Sequence, residues 1–234
     1  MAKGSALLLF SGGQDSATCL IWAAKNFDSV ETLGFSYGQR HEVELECRQE
    51  FLSHFRAAYP KISSGIKEDT VINLDFIAEI GRTALTEDIE IKETESGLPN
   101  TFVPGRNIFF LATAASIAYK KNISHIIGGM CETDYSGYPD CRLDTIKSLE
   151  ETLTKGMEMN FNIHTPLMSL SKAETWKAAE KWGGYQYIEL IKRFTHTCYL
   201  GYREVLHEWG YGCGKCPACR LRMRGYEQYK ENLS

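Results

Sequence analysis

Ser5-Ala6-Leu7-Leu8-Leu9-Phe10-Ser11-Gly12-Gly13-Gln14-Asp15-Ser16 is the stretch whose reading decides the fold. An apolar run halted by two glycines predicts a buried strand over 5–10 that ends in a tight turn, with a helix following over 17–24. The glycines let the backbone bend sharply and bring several N–H donors close to an anion. The dipole of the next helix and the hydroxyls of Ser11 and Ser16 would add to that attraction. A carboxylate in such a loop repels phosphate unless a cation lies between them, which makes Asp15 a candidate Mg²⁺ ligand. Two glycines alone are equally the mark of an ordinary strand-to-helix turn, with Asp15 or Ser16 as helix N-cap. The Walker pattern Gly-x-x-x-x-Gly-Lys-Ser/Thr occurs nowhere in the chain.

Outward from this loop, strands are predicted at 30–37, 70–76, 124–130 and around Ile163. Helices are predicted at 41–55, 108–119, 143–157 and 172–182. The clearest is 41–55, where Val43, Cys47, Phe51 and Phe55 recur every fourth residue on one face. Strands alternating with helices predict an α/β fold with a doubly wound parallel sheet. Residues 81–100 break the alternation with Glu87, Asp88, Glu90, Lys92, Glu93 and Glu95, and read as a solvated surface excursion or a lid. The segment from His196 onward also departs from it. The expected organisation is therefore an α/β domain over 1–195 and a C-terminal extension over 196–234.

The formal net charge of −4 provides no general footprint for nucleic acid or an anionic membrane. No apolar stretch approaches a bilayer span and the N-terminal run is too short for a signal peptide, so a cytoplasmic protein is expected. Of eight cysteines, three cluster in Cys213-Gly214-Lys215-Cys216-Pro217-Ala218-Cys219, and Cys198 lies upstream. In a reducing compartment this spacing reads as metal binding. Four thiolates suit a closed, tetrahedral structural Zn²⁺ site. An iron–sulfur cluster, unliganded thiols, or His196 or His207 in place of one cysteine are the other readings. Cys19, Cys47, Cys131 and Cys141 read as small hydrophobes. Arg220, Arg222 and Arg224 read as a solvated basic surface, with a nucleic-acid contact as the rival.

Ser-Gly-Gly-x-Asp-Ser resembles the loop of the ATP pyrophosphatase (PP-loop) group, whose members transfer AMP to a substrate oxygen and release pyrophosphate. Further stretches are Tyr37-Gly38-Gln39-Arg40-His41, Pro99-Asn100-Thr101-Phe102-Val103-Pro104-Gly105-Arg106-Asn107, Asp134-Tyr135-Ser136-Gly137-Tyr138-Pro139-Asp140-Cys141-Arg142, and Thr165-Pro166-Leu167 with Ser171-Lys172-Ala173-Glu174. In order, and with the cysteine cluster, they resemble the 7-cyano-7-deazaguanine synthase (QueC) family across nearly the whole chain. Ser36 and Leu200 depart from residues common at those positions.

The resemblance implies an adenine nucleotide alpha-hydrolase-like fold over 1–195 and a zinc-binding extension over 196–234. It implies a ligase that uses ATP to convert 7-carboxy-7-deazaguanine and ammonia to 7-cyano-7-deazaguanine. ATP and Mg²⁺ would be held along Phe10, Ser11, Gly12, Gly13, Gln14, Asp15, Ser16, Ala17, Thr18, Cys19 and Leu20. Asp15, Lys172 and Arg106 are the expected catalytic groups, although Lys172 reads equally as a helix-start surface lysine. Arg40, Phe102, Tyr135, Tyr138 and Asp140 are the expected substrate contacts, since a deazapurine suits aromatic faces and a carboxylate. Cys198, Cys213, Cys216 and Cys219 are the expected Zn²⁺ ligands. A homodimer acting on a small molecule, with no nucleic acid or membrane partner, completes the expectation. A tRNA sulfurtransferase on the same loop, using Cys131 or Cys141, and a non-catalytic zinc-ribbon binder are the alternatives.

Overall fold

Five strands build the central sheet: β1 (Ser5–Leu9), β2 (Ser29–Ser36), β3 (Ile66–Asn73), β4 (His125–Ile127) and β5 (Asn162–His164). All pairings are parallel and the order is β3-β2-β1-β4-β5. Ala6 and Leu8 of the central β1 enter one core, and Leu7 and Leu9 enter the core on the other face. Burial on both faces is why this strand reads as a continuous apolar run. The computed structural model describes residues 4–38, 43–80, 83, 100–133 and 138–232.

The helices are α1 (Gln14–Asn26), α2 (Val43–Ala58), α3 (Pro60–Ser63), α4 (Phe76–Ile80), α5 (Arg106–Lys120), α6 (Leu143–Met157), α7 (Lys172–Gly183), α8 (Tyr185–Phe194) and α9 (Pro217–Glu231). Residues of α1, α2, α7, α8 and α9 share the core on one face of the sheet, and those of α5 and α6 the core on the other. The strand order reverses between β1 and β4. The loops leaving the carboxyl ends of those strands therefore diverge and open a crevice, the usual ligand position in an open parallel sheet.

Several elements differ from the sequence expectation, among them the short α3 and α4, the hairpin strands and α9 of the C-terminal segment, and three others with an identifiable cause. The third strand runs 66–73 rather than 70–76, because Asn73 Oδ1 accepts from the Asp75 N–H at 2.9 Å and turns the chain into α4. The fourth stops at Ile127, and the Gly128 N–H then reaches the His164 carbonyl. Helix α8 was not anticipated: it follows Gly183-Gly184, which reads as a break, yet it buries Tyr187, Ile188, Leu190 and Ile191. Most of the polar stretch 81–100 lies outside the described residues.

The C-terminal segment forms a hairpin of β6 (Leu206–His207) and β7 (Gly210–Tyr211), then α9. Its Cys198, Trp209, Cys219 and Tyr226 belong to the same core as α1. The three nearby arginines do not form one surface. Arg220 and Arg224 are exposed, whereas Arg222 is fully buried, as residues two apart on a helix face different ways. Arg222 donates to the Trp209 carbonyl at 2.9 Å, the Thr197 hydroxyl at 2.9 Å and the Ile191 carbonyl at 3.0 Å. Among the described residues, no helix is long and apolar enough to cross a membrane.

Candidate active site and metal centre

A cleft of about 340 Å³ opens above the carboxyl ends of β1, β2 and β4. Its floor is the glycine loop. Gly12 takes a φ of +94°, and a Cβ there would meet the Glu44 carbonyl at 2.4 Å, so glycine is required for both conformation and space. Gly13, rather than Asp15 or Ser16, is the N-cap of α1. The Ser11 and Ser16 hydroxyls lie 3.1 Å apart, and Ser11 Oγ accepts from the Gly13 N–H at 3.2 Å. Phe10, Ser11, Asp15 and Ser16 line the cleft. Ala17, Thr18, Cys19 and Leu20 are fully buried along α1 and present no side chain to it. The first N–H groups of α1 thus meet the cleft beside two hydroxyls, an arrangement suited to an oligophosphate. Gly129, just beyond β4, packs against α1, where a Cβ would lie 3.3 Å from Ser16 N.

Lys172 is at this loop rather than on the surface. A capping box of Ser171 and Glu174 starts α7 there. The Lys172 ammonium donates to both Asp15 carboxylate oxygens at 2.9 Å, and its side chain is only 9% exposed. Its stem runs over Gly225 of α9, where a Cβ would fall 2.6 Å from Lys172 Cγ. The C-terminal helix therefore sets the position of the cation. Gly225→Ala is expected to lower kcat by about 10- to 100-fold. Steady-state turnover kinetics check this.

Arg106 stands on the opposite wall at the start of α5, its guanidinium carbon 5.8 Å from the Tyr37 ring and 5.9 Å from the Tyr138 ring. Burial works against its charge, but Tyr37, Tyr138, Tyr199 and Asp140 outweigh this and raise its pKa. Its Nε is buried with no partner. Tyr138 lines the cleft, with its hydroxyl 2.6 Å from that of Thr101. Phe102 packs behind Tyr138 at 5.5 Å and does not reach the cleft. Asp140 is 4% exposed and lies off the cleft, its Oδ2 accepting from the Asn107 N–H at 2.9 Å at the N-terminus of α5. Arg40 and Tyr135 lie outside the described residues. Cys141 is on the cleft wall and accepts from Asn107 Nδ2 at 3.3 Å.

Glu44, in the first turn of α2, also lines the cleft. Burial pushes its carboxyl up to about 7 from an ordinary 4.5, against an opposing pull from Arg106. An acid raised on folding contributes stability that is fully present below its unfolded pKa and lost as pH rises through the folded one. The unliganded protein should therefore lose on the order of 1–2 kcal/mol from this half-buried group between pH 5 and pH 8. Urea unfolding of wild type and Glu44→Gln at both pH values checks this, the variant being expected to lack that part of the decline.

The four expected cysteines come together. The sulfurs of Cys198, Cys213, Cys216 and Cys219 all lie within 4.8 Å of one another, and those of Cys213 and Cys219 are 3.9 Å apart. Tetrahedral bonds of about 2.3 Å to a central ion place sulfurs roughly 3.8 Å apart, so the set fits such an ion closely. Cys213 Sγ accepts from the backbone N–H groups of Lys215 at 3.4 Å and Cys216 at 3.3 Å. Hydrogen bonding from Cys216 and Cys219 pulls the Cys198 thiol down, and hydrogen bonding to Cys198 pushes that of Cys216 up to about 12. Neither histidine joins the set: His196 Nε2 is 2.9 Å from the Cys198 carbonyl and His207 Nε2 is 3.0 Å from that of Gly212. Cys198 and His196 both line the cleft, and the His196 N–H donates to the Gly12 carbonyl at 3.1 Å. The cysteine centre thus abuts the glycine loop.

Tyr37, Glu44, Asn107, Phe110 and Tyr199 line the cleft but were not among the expected site residues. Tyr37 and Asn107 do belong to the polar loop motifs. Glu44 had no distinguishing signal, because an acid in the first turn of an amphipathic helix is ordinary.

The chain matches the family model described as "Queuosine biosynthesis protein QueC" over residues 5–230. It is 57% identical over 228 residues to the 7-cyano-7-deazaguanine synthase of Paraburkholderia phymatum, covering 97% of this chain and 94% of the relative. Identity to the enzyme of the same name from Paraburkholderia phytofirmans is 56%, covering 97% and 93%. Among solved structures it is similar to a 4-thiouridine synthetase–RNA complex with bound ATP. That match has a TM-score of 0.52 at 17% identity, over 97% of this chain and 53% of the other, a likeness of fold alone.

Proposed function

The chain belongs to the QueC family of queuosine biosynthesis proteins, and from that membership we propose that it is an ATP-dependent ligase making 7-cyano-7-deazaguanine from 7-carboxy-7-deazaguanine and ammonia. The observation that carries the reading is the glycine loop, with Lys172 and Asp15 paired above it at 2.9 Å, facing Arg106 across one cleft. A carboxylate cannot expel oxide, so its oxygen must first be made a leaving group. Its attack on the α-phosphorus of ATP forms an acyl adenylate and releases pyrophosphate. Ammonia displaces AMP to form the amide. The amide oxygen attacks the α-phosphorus of a second ATP and releases a second pyrophosphate, and loss of AMP and both amide protons leaves the nitrile. Each original carboxylate oxygen departs on an AMP.

The loop N–H groups, Ser11 and Ser16 hold the phosphates in this reading, and Lys172 and Arg106 offset charge gathering at phosphorus. Mg²⁺ would be held by Asp15 and neutralise the departing pyrophosphate. Zn²⁺ would be held by the four cysteines, a closed set that leaves no position for substrate and so makes its role structural. The division at 195/196 is one of chemistry, since both parts share a core. A cytoplasmic homodimer acting on small molecules completes the proposal.

Substrate labelled with ¹⁸O in both carboxylate oxygens tests the route, with two AMP per nitrile, each carrying one label, as the expected result. Label in pyrophosphate or water would contradict it. Cys216→Ala is expected to lose one metal ion per chain and to lower Tm by about 10 °C or more, checked by elemental analysis and calorimetry.

A further inference from the structure

We propose that Glu44 is the specificity-determining residue of this site, its carboxylate accepting from the ring N1–H and the 2-amino group of the deazaguanine; this rests on the function proposed above. Those two donors lie side by side on one edge of the ring. The group that satisfies both is a carboxylate used through both oxygens. Among the described residues lining the cleft, the carboxylates are Asp15 and Glu44. Asp15 is held by Lys172 at the phosphate loop. Asp140, the acid singled out in the sequence, is not among the residues lining the cleft; its Oδ2 accepts at the N-terminus of α5, while its Oδ1 is buried behind the wall without a partner.

Glu44 forms no hydrogen bond or ion pair with any described residue, although it faces a partly desolvated cleft. A half-buried carboxylate at the cleft wall gains from a ligand with two convergent N–H groups, whose charge-assisted bonds replace those to water. The next group along the same edge of the base, the 6-oxo oxygen, is an acceptor. It suits Arg106, the cation whose charge acts on Glu44 and whose Nε is buried without a partner. The cleft also supplies a flat apolar wall, in which the rings of Phe35 and Phe110 stack at 4.4 Å with Tyr37 beside them at 5.4 Å. The adenine edge fits Glu44 poorly, because its N1 lone pair would meet the carboxylate.

The test compares wild type and Glu44→Gln on 7-carboxy-7-deazaguanine and on the analogue lacking the 2-amino group, by kcat/KM and by KM for ATP. Wild type is expected to prefer the 2-amino substrate by about 30- to 100-fold. In Glu44→Gln that preference should fall to within about threefold, with a raised KM for the base and an unaltered KM for ATP. A preference retained by the variant, or a raised KM for ATP in place of one for the base, would overturn this assignment alone. So would a wild type indifferent to the 2-amino group. No nitrile from wild type with either base would overturn the proposed function and this assignment together.

Discussion

Lys172→Ala is expected to lower the rate of AMP formation by about 10²- to 10³-fold while Tm stays within a few degrees of wild type. The two halves of that result have separate causes. Lys172 is a cation held at the glycine loop, paired with both oxygens of Asp15 at 2.9 Å, and in the proposed reaction charge gathers at that loop as pyrophosphate departs. A fixed positive charge in a site sheltered from water is worth several kcal/mol to the transition state. Stability depends on the ground state, where the partner Asp15 is 31% exposed and can turn to water once the lysine is gone. The loss is then that of a partly solvated pair, about 1 kcal/mol. Single-turnover AMP formation, read beside thermal unfolding, separates the two. An equal loss of stability and rate would mean that Lys172 is structural.

Arg222→Met is expected to behave in the opposite way, destabilising the protein by about 3–5 kcal/mol. Arg222 is fully buried and makes its bonds to two carbonyls and one hydroxyl, with no carboxylate at its guanidinium. Methionine of similar length fills the volume but leaves the carbonyls of Ile191 and Trp209 without those donors. Gly210 has a Cβ position only 2.5 Å from Arg222 Nη2, so the backbone around the guanidinium is shaped to it and closes poorly over a thioether. The arginine ties the end of α8 to the hairpin and to α9, which carries Gly225 under Lys172. Equilibrium urea unfolding checks the magnitude; a change under 1 kcal/mol would show that the burial is readily relaxed.

The fold was legible where local pattern and tertiary role agree. β1 is apolar on both faces because both faces are covered, and the two glycines after it mark a place where the chain must bend tightly at the floor of the cleft. The cysteine set was legible because its spacing has few other uses, and the structure brings all four sulfurs together. Roles set by tertiary placement were not. Asp140 sits in a motif of polar residues and reads as a ligand group, yet its partner is the backbone of α5, distant in sequence. Arg222 reads as one of three surface arginines until helical phase turns it inward. Glu44 gains its character from burial at the cleft, set against the charge of Arg106 on the wall that α5 supplies from a distant part of the sequence. Helix α8 was hidden by the Gly183-Gly184 pair, which in fact separates two helices.

Adenylation of a deazapurine carboxylate is open to direct observation when the purified protein is incubated with MgATP, ammonium and 7-carboxy-7-deazaguanine. AMP and the base products are then followed by mass spectrometry. The expected result is 7-cyano-7-deazaguanine with two AMP per nitrile, and no AMP when the base is omitted. ADP in place of AMP, or a folded protein that forms no AMP with all three substrates present, would contradict it.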